Sequence, residues 1–118
     1  MQVKEAIAAF SQSEKIKAGI LWATQLIEVY KGLPEPDQKG SELMIKTIIS
    51  MIGHEVHLAK TSAFRELWVE AEKSFDTALV MANSNVIQES SFHLTQALSR
   101  VTSVGQRSLS FLIEKGFM

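Results

Sequence analysis

The chain has 118 residues, enough for one domain of ordinary size, and we expect a single domain over residues 1–118. Lys and Arg number 12 and Asp and Glu number 13, so the formal net charge is −1. This near balance excludes the strongly basic surface of a general nucleic-acid-binding protein. Hydrophobic residues make up 46% of the chain and charged residues 21%, which excludes a disordered or acidic-tail class.

Cysteine is absent, which excludes disulfides, thiol nucleophiles and Cys-ligated zinc sites and fits a cytoplasmic protein. Residues 1–15 include Glu5 and Glu14 and lack the continuous apolar core of a signal peptide. The most apolar stretch, residues 43–52, contains Lys46 and falls short of the roughly 20 apolar residues that a membrane span needs. We therefore expect neither a membrane nor a nucleic acid among the partners.

Glycine and proline mark the first interruption along the chain. Both prolines lie in residues 32–37, the only stretch that we expect not to form regular structure. Lys31 followed by Gly32 is typical of a helix C-terminus, and Asp37 is a residue that can cap the next helix. The pattern predicts a helix end at residue 31 and a helix start near residue 38.

A second interruption lies at residues 83–85, where Asn85 and Gln88 have the spacing of a capping box. Lys115 and Gly116 indicate the end of a last helix. No segment alternates between apolar and polar residues in the manner of a half-buried strand. The chain is therefore expected to be all-α.

Two more breaks follow from the direction of the apolar side chains around an ideal helix. The apolar residues of 43–60 point about 150° away from those of 64–79, which predicts a turn near residues 60–62 with Thr61 or Ser62 as the cap. The same test separates residues 3–10 from residues 16–27 by about 150°. Residues 11–14, Ser-Gln-Ser-Glu, have the capping-box pattern at that boundary.

These breaks predict a short helix over residues 2–10 followed by four longer helices. The longer helices are expected over residues 12–31, 38–60, 62–83 and 85–115. Because short connections force sequential helices to run in opposite directions, the predicted fold is an antiparallel up-down-up-down four-helix bundle with a short extra N-terminal helix.

Three of the predicted helices carry more uncharged surface than one small bundle can bury. Apolar side chains cover about 180° of helix 38–60. In helix 85–115 the only charges between Glu89 and Glu114 are Arg100 and Arg107, and these four side chains share a sector of about 40°. Depleted charge with small uncharged side chains is typical of an interface core.

We therefore expect a non-catalytic, self-associating interaction protein of the adaptor or chaperone-like kind, as a homodimer or higher homo-oligomer that can also bind a protein or peptide partner. The expected interface lies on helix 85–115 and part of helix 12–31. Its predicted residues are Leu21, Leu26, Leu94, Ser99, Val101, Thr102 and Leu109. The alternative is a monomer whose serine-rich last helix faces water.

The three histidines offer a second class of function, a metal site. Residues 54–57, His-Glu-Val-His, resemble the zinc-protease motif, but that motif needs histidines four residues apart. His54 and His57 could instead hold a metal together with His93 and Glu89 of the last helix. Against this, both His54 and His57 are predicted on the polar side of their helix, away from the core.

Glu55 lies within the apolar arc of its helix, where a carboxylate without a partner is costly. We expect it to reach water near the helix end. No second carboxylate is placed beside it by the sequence, so an acid or base role is not indicated.

Residues 57–63 resemble the histidine phosphotransfer signature, in which an exposed helical histidine precedes a lysine by three residues within a four-helix bundle. The resemblance implies that His57 is a phosphoacceptor and that Lys60 offsets the charge of the phosphoryl group. Thr61 stands where that family has glycine, which is a departure from the signature.

No Ser-His-Asp arrangement, P-loop or glycine-rich phosphate motif is present, and no cofactor is expected. Trp22, Tyr30 and Trp68 have the spacing of core residues, so we interpret them as packing side chains and not as stacking platforms for bases.

Overall fold

The computed structural model describes residues 1–117 as a bundle of helices measuring 54 × 22 × 18 Å. The helices are α1 (Val3–Lys31), α2 (Glu35–Ala59), α3 (Arg65–Asn83) and α4 (Ile87–Glu114). Within these residues no strand is present, so the all-α prediction is confirmed. None of the helices over residues 1–117 has the length and apolar character needed to cross a bilayer.

Each helix packs against two others, so the four surround a common core. α1 packs against α2 and α4, and α3 packs against the same two helices. Trp68 and Phe75 of α3 are the largest fully buried side chains. The indole Nε1 of Trp68 donates a hydrogen bond of 3.1 Å to the Ala63 carbonyl, so this ring is buried without an unpaired polar group.

The predicted break at residues 11–14 is wrong, because α1 runs unbroken from Val3 to Lys31. The buried stripe of its first turns consists of small residues, Ala6, Ala9 and Ser13. This stripe continues directly into the buried isoleucines at 16, 20 and 27. The predicted helix 2–10 is therefore the beginning of α1 and not a separate element.

The predicted turn at residues 60–62 is confirmed, but its capping residues are not those expected. The hydroxyls of Thr61 and Ser62 donate to carbonyls of Leu58 and Ala59, so they serve the end of α2. The N-cap of α3 is Phe64, with a left-handed φ of 65° and no side-chain cap bond. The helix start is therefore set by tertiary packing, since Phe64 also packs against the core.

The connection between α3 and α4 likewise differs from the predicted capping box. Asn85 has φ of 64° and follows the end of α3, where its amide bonds the Ala82 carbonyl and the Val86 amide bonds the Met81 carbonyl. These two bonds form a Schellman motif with asparagine in the left-handed position. Asn85 thus ends α3 instead of starting α4, whose N-cap is Val86.

The remaining helix ends are as predicted except at the start of α2. Gly116 has φ of 80° and ends α4, and α1 ends at Lys31 before Gly32. α2 begins at Glu35 with Pro34 as its N-cap, so Asp37 lies inside the first turn and is not the cap. An acidic residue at this point interacts favourably with the positive end of the helix dipole.

Candidate functional site

The most prominent apolar surface lies along the exposed edges of α1 and α2. Trp22 is 66% exposed, Met44 67% and Met51 63%, while Leu26 and Ile48 are half-buried. The spacing is i, i+4, i+7 on each helix, which places these residues in two adjacent rows. We call this the α1–α2 surface, formed by Trp22, Leu26, Val29, Met44, Ile48 and Met51.

A cavity of about 230 Å³ opens in this surface between the two helices. Its lining is almost entirely apolar and comprises Lys15, Ile16, Gly19, Trp22, Ile48, Met51, Ile52 and Glu55. Gly19 is buried, and a Cβ at that position would lie 3.1 Å from Cγ1 of Ile52. The helices are therefore in close contact beneath the cavity, with Trp22 and Met51 exposed beside it.

One end of the cavity is closed by an ion pair. Nζ of Lys15 lies 2.9 Å from Oε1 of Glu55, and Nε2 of Gln12 donates to the same carboxylate and to the Glu55 carbonyl. The hydrogen bonds from Lys15 and Gln12 lower the pKa of Glu55. Glu55, which the sequence predicted within an apolar arc, is thus paired with Lys15 of the neighbouring helix. Its side chain remains 31% exposed.

Charge is absent from the middle of the α1–α2 surface. Residues 18–27 of α1 and residues 47–54 of α2 contain no Asp, Glu, Lys or Arg. Lys46 projects about 160° around α2 from Met44, toward the side that packs on α3. A partner that covers this surface would therefore bury apolar groups without burying a charge.

The predicted interface on α4 is only partly on the surface. Leu94 and Val101 are completely buried in the core, which corrects their assignment to an interface. Leu21 is 51% exposed and Ser99 is exposed. Leu26, Thr102 and Leu109 are half-buried.

The exposed side of α4 is polar in character. The hydroxyls of Thr95 and Ser103 donate to carbonyls one turn earlier in their own helix. Phe92 and Ile113, 61% and 53% exposed, are the large apolar side chains of α4 that are exposed. The uncharged surface of α4 is therefore mostly hydroxyl-bearing, and the apolar surface of the bundle is concentrated on α1 and α2.

Among the aromatic residues, the prediction for Trp22 is wrong and those for Tyr30 and Trp68 are confirmed. The Tyr30 hydroxyl donates to Oε1 of Glu42 at 2.9 Å, and burial together with this carboxylate raises the pKa of Tyr30. Trp22 lies more than 90° around α1 from the buried isoleucines. This angle follows from the residue spacing, so the sequence alone contained the signal for the exposure of Trp22.

His57 belongs to a polar cluster between α2 and α3. Its Nδ1 lies 2.8 Å from Oε2 of Glu72, and Nζ of Lys60 lies 2.8 Å from Oε1 of the same carboxylate. The hydrogen bond from Lys60, supported by that from His57, lowers the pKa of Glu72. Because Glu72 occupies Nδ1 and the side chain is 62% exposed, Nε2 is the ring nitrogen available for a reaction.

The residues of the predicted metal site are not brought together. His54 and His57 are exposed on α2, whereas His93 and Glu89 belong to α4, which packs against α1 and α3. The ring of His93 instead meets the ring of Phe92 edge-on, with centroids 5.3 Å apart. Across residues 1–117, no three His, Asp or Glu side chains are arranged to hold a metal ion.

Comparisons of the chain with known protein families, with curated proteins and with solved structures find no match.

Proposed function

We propose that this protein is a non-catalytic assembly module that self-associates through the α1–α2 surface, most simply as a two-fold homodimer. The observation that carries the proposal is the exposure of Trp22, Met44 and Met51 side by side on two adjacent helices. The proposed association therefore uses α1 and α2, and the α4 side is the competing location.

The size of the apolar surface supports burial by a partner. The exposed parts of Trp22, Val29, Met44 and Met51 amount to on the order of 500 Å², within the about 300–600 Å² of the largest apolar patch on a typical monomer, a patch that is often functional. A standard interface covers about 800 Å² per partner. The half-buried residues beside the patch, Leu26 and Ile48 among them, supply part of the remaining area.

The charge distribution favours a second copy over a partner of opposite charge. In a two-fold contact each surface meets itself, so a charged patch would meet its own charge. The α1–α2 surface escapes this repulsion because residues 18–27 and 47–54 are uncharged. Lys15 and Glu55 at its edge are already paired within one chain.

The same contacts support the antiparallel bundle that the sequence predicts. Lys15, near the middle of α1, pairs with Glu55 late in α2, and Tyr30 at the end of α1 bonds Glu42 early in α2. The connections between helices are short, which favours the up-down-up-down order.

Three variants separate the proposed surface from the α4 side. We expect Met51→Glu, which places a charge in the uncharged surface, to reduce the sedimentation mass to that of one chain without loss of helical circular dichroism. Phe92→Ala, an exposed apolar residue on α4, and Ser99→Glu are the controls and should leave the mass of the wild type unchanged. A shift to one chain in Ser99→Glu alone would place the interface on α4.

A second candidate function, phosphotransfer at His57, has one favourable observation. Glu72 accepts a hydrogen bond at Nδ1, which orients the ring so that Nε2 can attack a phosphorus atom. With phosphoramidate, the N–P bond to Nε2 forms while the donor's P–N bond breaks and ammonia leaves. Lys60, however, is bound to Glu72, so its charge is already compensated before any phosphoryl group arrives.

A further inference from the structure

We infer that Trp22 of each copy inserts into the α1–α2 cavity of its partner, so that one residue and one cavity determine how two chains recognise each other. This inference rests on the proposed self-association. The apolar surface by itself does not show which side chain is buried in the dimer or where it binds. We infer both here.

Trp22 lies directly beside the cavity. The residue is 66% exposed and forms part of the cavity's edge. A surface that carries both a projecting ring and an adjacent cavity is self-complementary under two-fold rotation, because each ring can meet the other copy's cavity. Trp in an apolar pocket is also the commonest kind of residue to dominate the energy of an interface.

The size and chemistry of the cavity also suit an aromatic side chain. Its volume of about 230 Å³ is several times the roughly 30 Å³ that one water occupies in the liquid, so a bulky side chain is the better match. Gly19 lets α1 and α2 pack closely beneath the cavity, since a Cβ there would lie 3.1 Å from Cγ1 of Ile52. The flexible thioether of Met51 can adjust to an aromatic ring and contacts one favourably.

The fluorescence of the two tryptophans offers a direct test. Trp68 is fully buried and gives a constant signal, so a change with protein concentration reports on Trp22. We expect the emission of the full chain to move to shorter wavelength, and acrylamide quenching to weaken, over the concentration range in which the mass doubles. In Trp22→Phe the same range should show no such change in emission.

A pair of variants tests the cavity as well as the ring. Trp22→Ala removes the ring, and Ile48→Trp is designed to fill the cavity from a half-buried position. Each should weaken self-association by at least about 100-fold, as expected when a dominant contact is lost twice in a symmetric dimer. An equimolar mixture should form a one-to-one heterodimer by native mass spectrometry, because Ile48→Trp keeps the ring and Trp22→Ala keeps an unfilled cavity that lacks only the ring at its edge.

The outcomes separate this inference from the proposal beneath it. A chain that stays at the mass of one copy at every concentration contradicts self-association itself. A dimer in which Trp22 stays fully quenchable, or in which Trp22→Ala associates like the wild type, overturns only the insertion of Trp22. Failure of the mixed variants to pair also overturns it.

Discussion

Gly105 of α4 lies directly against Ser13 of α1: a Cβ at position 105 would stand 2.9 Å from the Ser13 hydroxyl oxygen. Both residues are buried, and the hydroxyl donates a 2.7 Å hydrogen bond to the Phe10 carbonyl within its own helix. The absence of a side chain at position 105 therefore allows α1 and α4 to approach closely at this point.

We predict that the effect of Gly105→Ala changes sign with the residue at position 13. In the wild type, crowding of the Ser13 hydroxyl should outweigh the better helix propensity of alanine and lower the free energy of unfolding by about 1 kcal/mol. In a Ser13→Ala background the crowding oxygen is gone, so Gly105→Ala should be neutral or stabilising. Urea unfolding of the four proteins measures this, and equal effects in both backgrounds would contradict the packing described.

Because of the cluster of His57, Lys60 and Glu72, we expect the stability of the fold to decrease as the pH falls into the acid range. The folded-state pKa of Glu72 lies below its ordinary value of 4.5, so this carboxylate stabilises the fold above that pH and loses its contribution as pH falls through the lowered value. Melting temperatures between pH 6 and pH 3 should therefore fall less steeply in Glu72→Gln than in the wild type. Glu66→Gln, at an exposed residue of the same helix, is the control and should retain the wild-type slope.

Asn85 provides a test of how α3 ends. Its φ of 64° is one that glycine adopts without strain, so Asn85→Gly should be neutral or raise stability by a few tenths of a kcal/mol. Asn85→Ala should lower the stability by about 1 kcal/mol. Alanine is strained in this conformation and lacks the polar side chain by which asparagine can hydrogen-bond locally. Thermal unfolding compares the two, and a more stable alanine variant would contradict the Schellman motif.

The phosphotransfer candidate predicts a modification at one nitrogen. Incubation with phosphoramidate should add one acid-labile phosphoryl group to the wild type, none to His57→Gln, and less to Glu72→Gln, in which the orienting carboxylate is lost. Intact-protein mass spectrometry resolves these products. Equal labelling of the wild type and His57→Gln would remove His57 from consideration.

The contrast between two predicted breaks shows what helical phase can and cannot determine. The turn after residue 60 was predictable because large apolar side chains on its two sides point in opposite directions. The break predicted near residue 11 does not exist, because Ile7 is 52% exposed whereas the buried positions are Ala6, Ala9 and Ser13. Small residues are weak signals of burial in a sequence, although they are well suited to close helix packing.

The candidate site was likewise predictable only in part from the sequence. The wide apolar arc of helix 38–60 predicted more apolar surface than the core can hold but did not show which residues would be exposed, and these include Leu43, Met44 and Met51. The partners of Glu55 and His57 were not predictable, because Lys15 and Glu72 come from neighbouring helices and their proximity depends on the relative register. Leu94 and Val101 were misplaced for a related reason: an uncharged helix surface does not show which of its apolar residues is turned inward.

The mass of the wild-type protein, measured as a function of concentration, tests whether two copies of the chain associate through the α1–α2 surface. Sedimentation equilibrium from nanomolar to high micromolar concentration should show a reversible transition from 13.1 kDa to twice that value. Met51→Glu should remain at the lower mass throughout. A wild-type mass of 13.1 kDa across the whole range would contradict self-association and, with it, the function proposed for this protein.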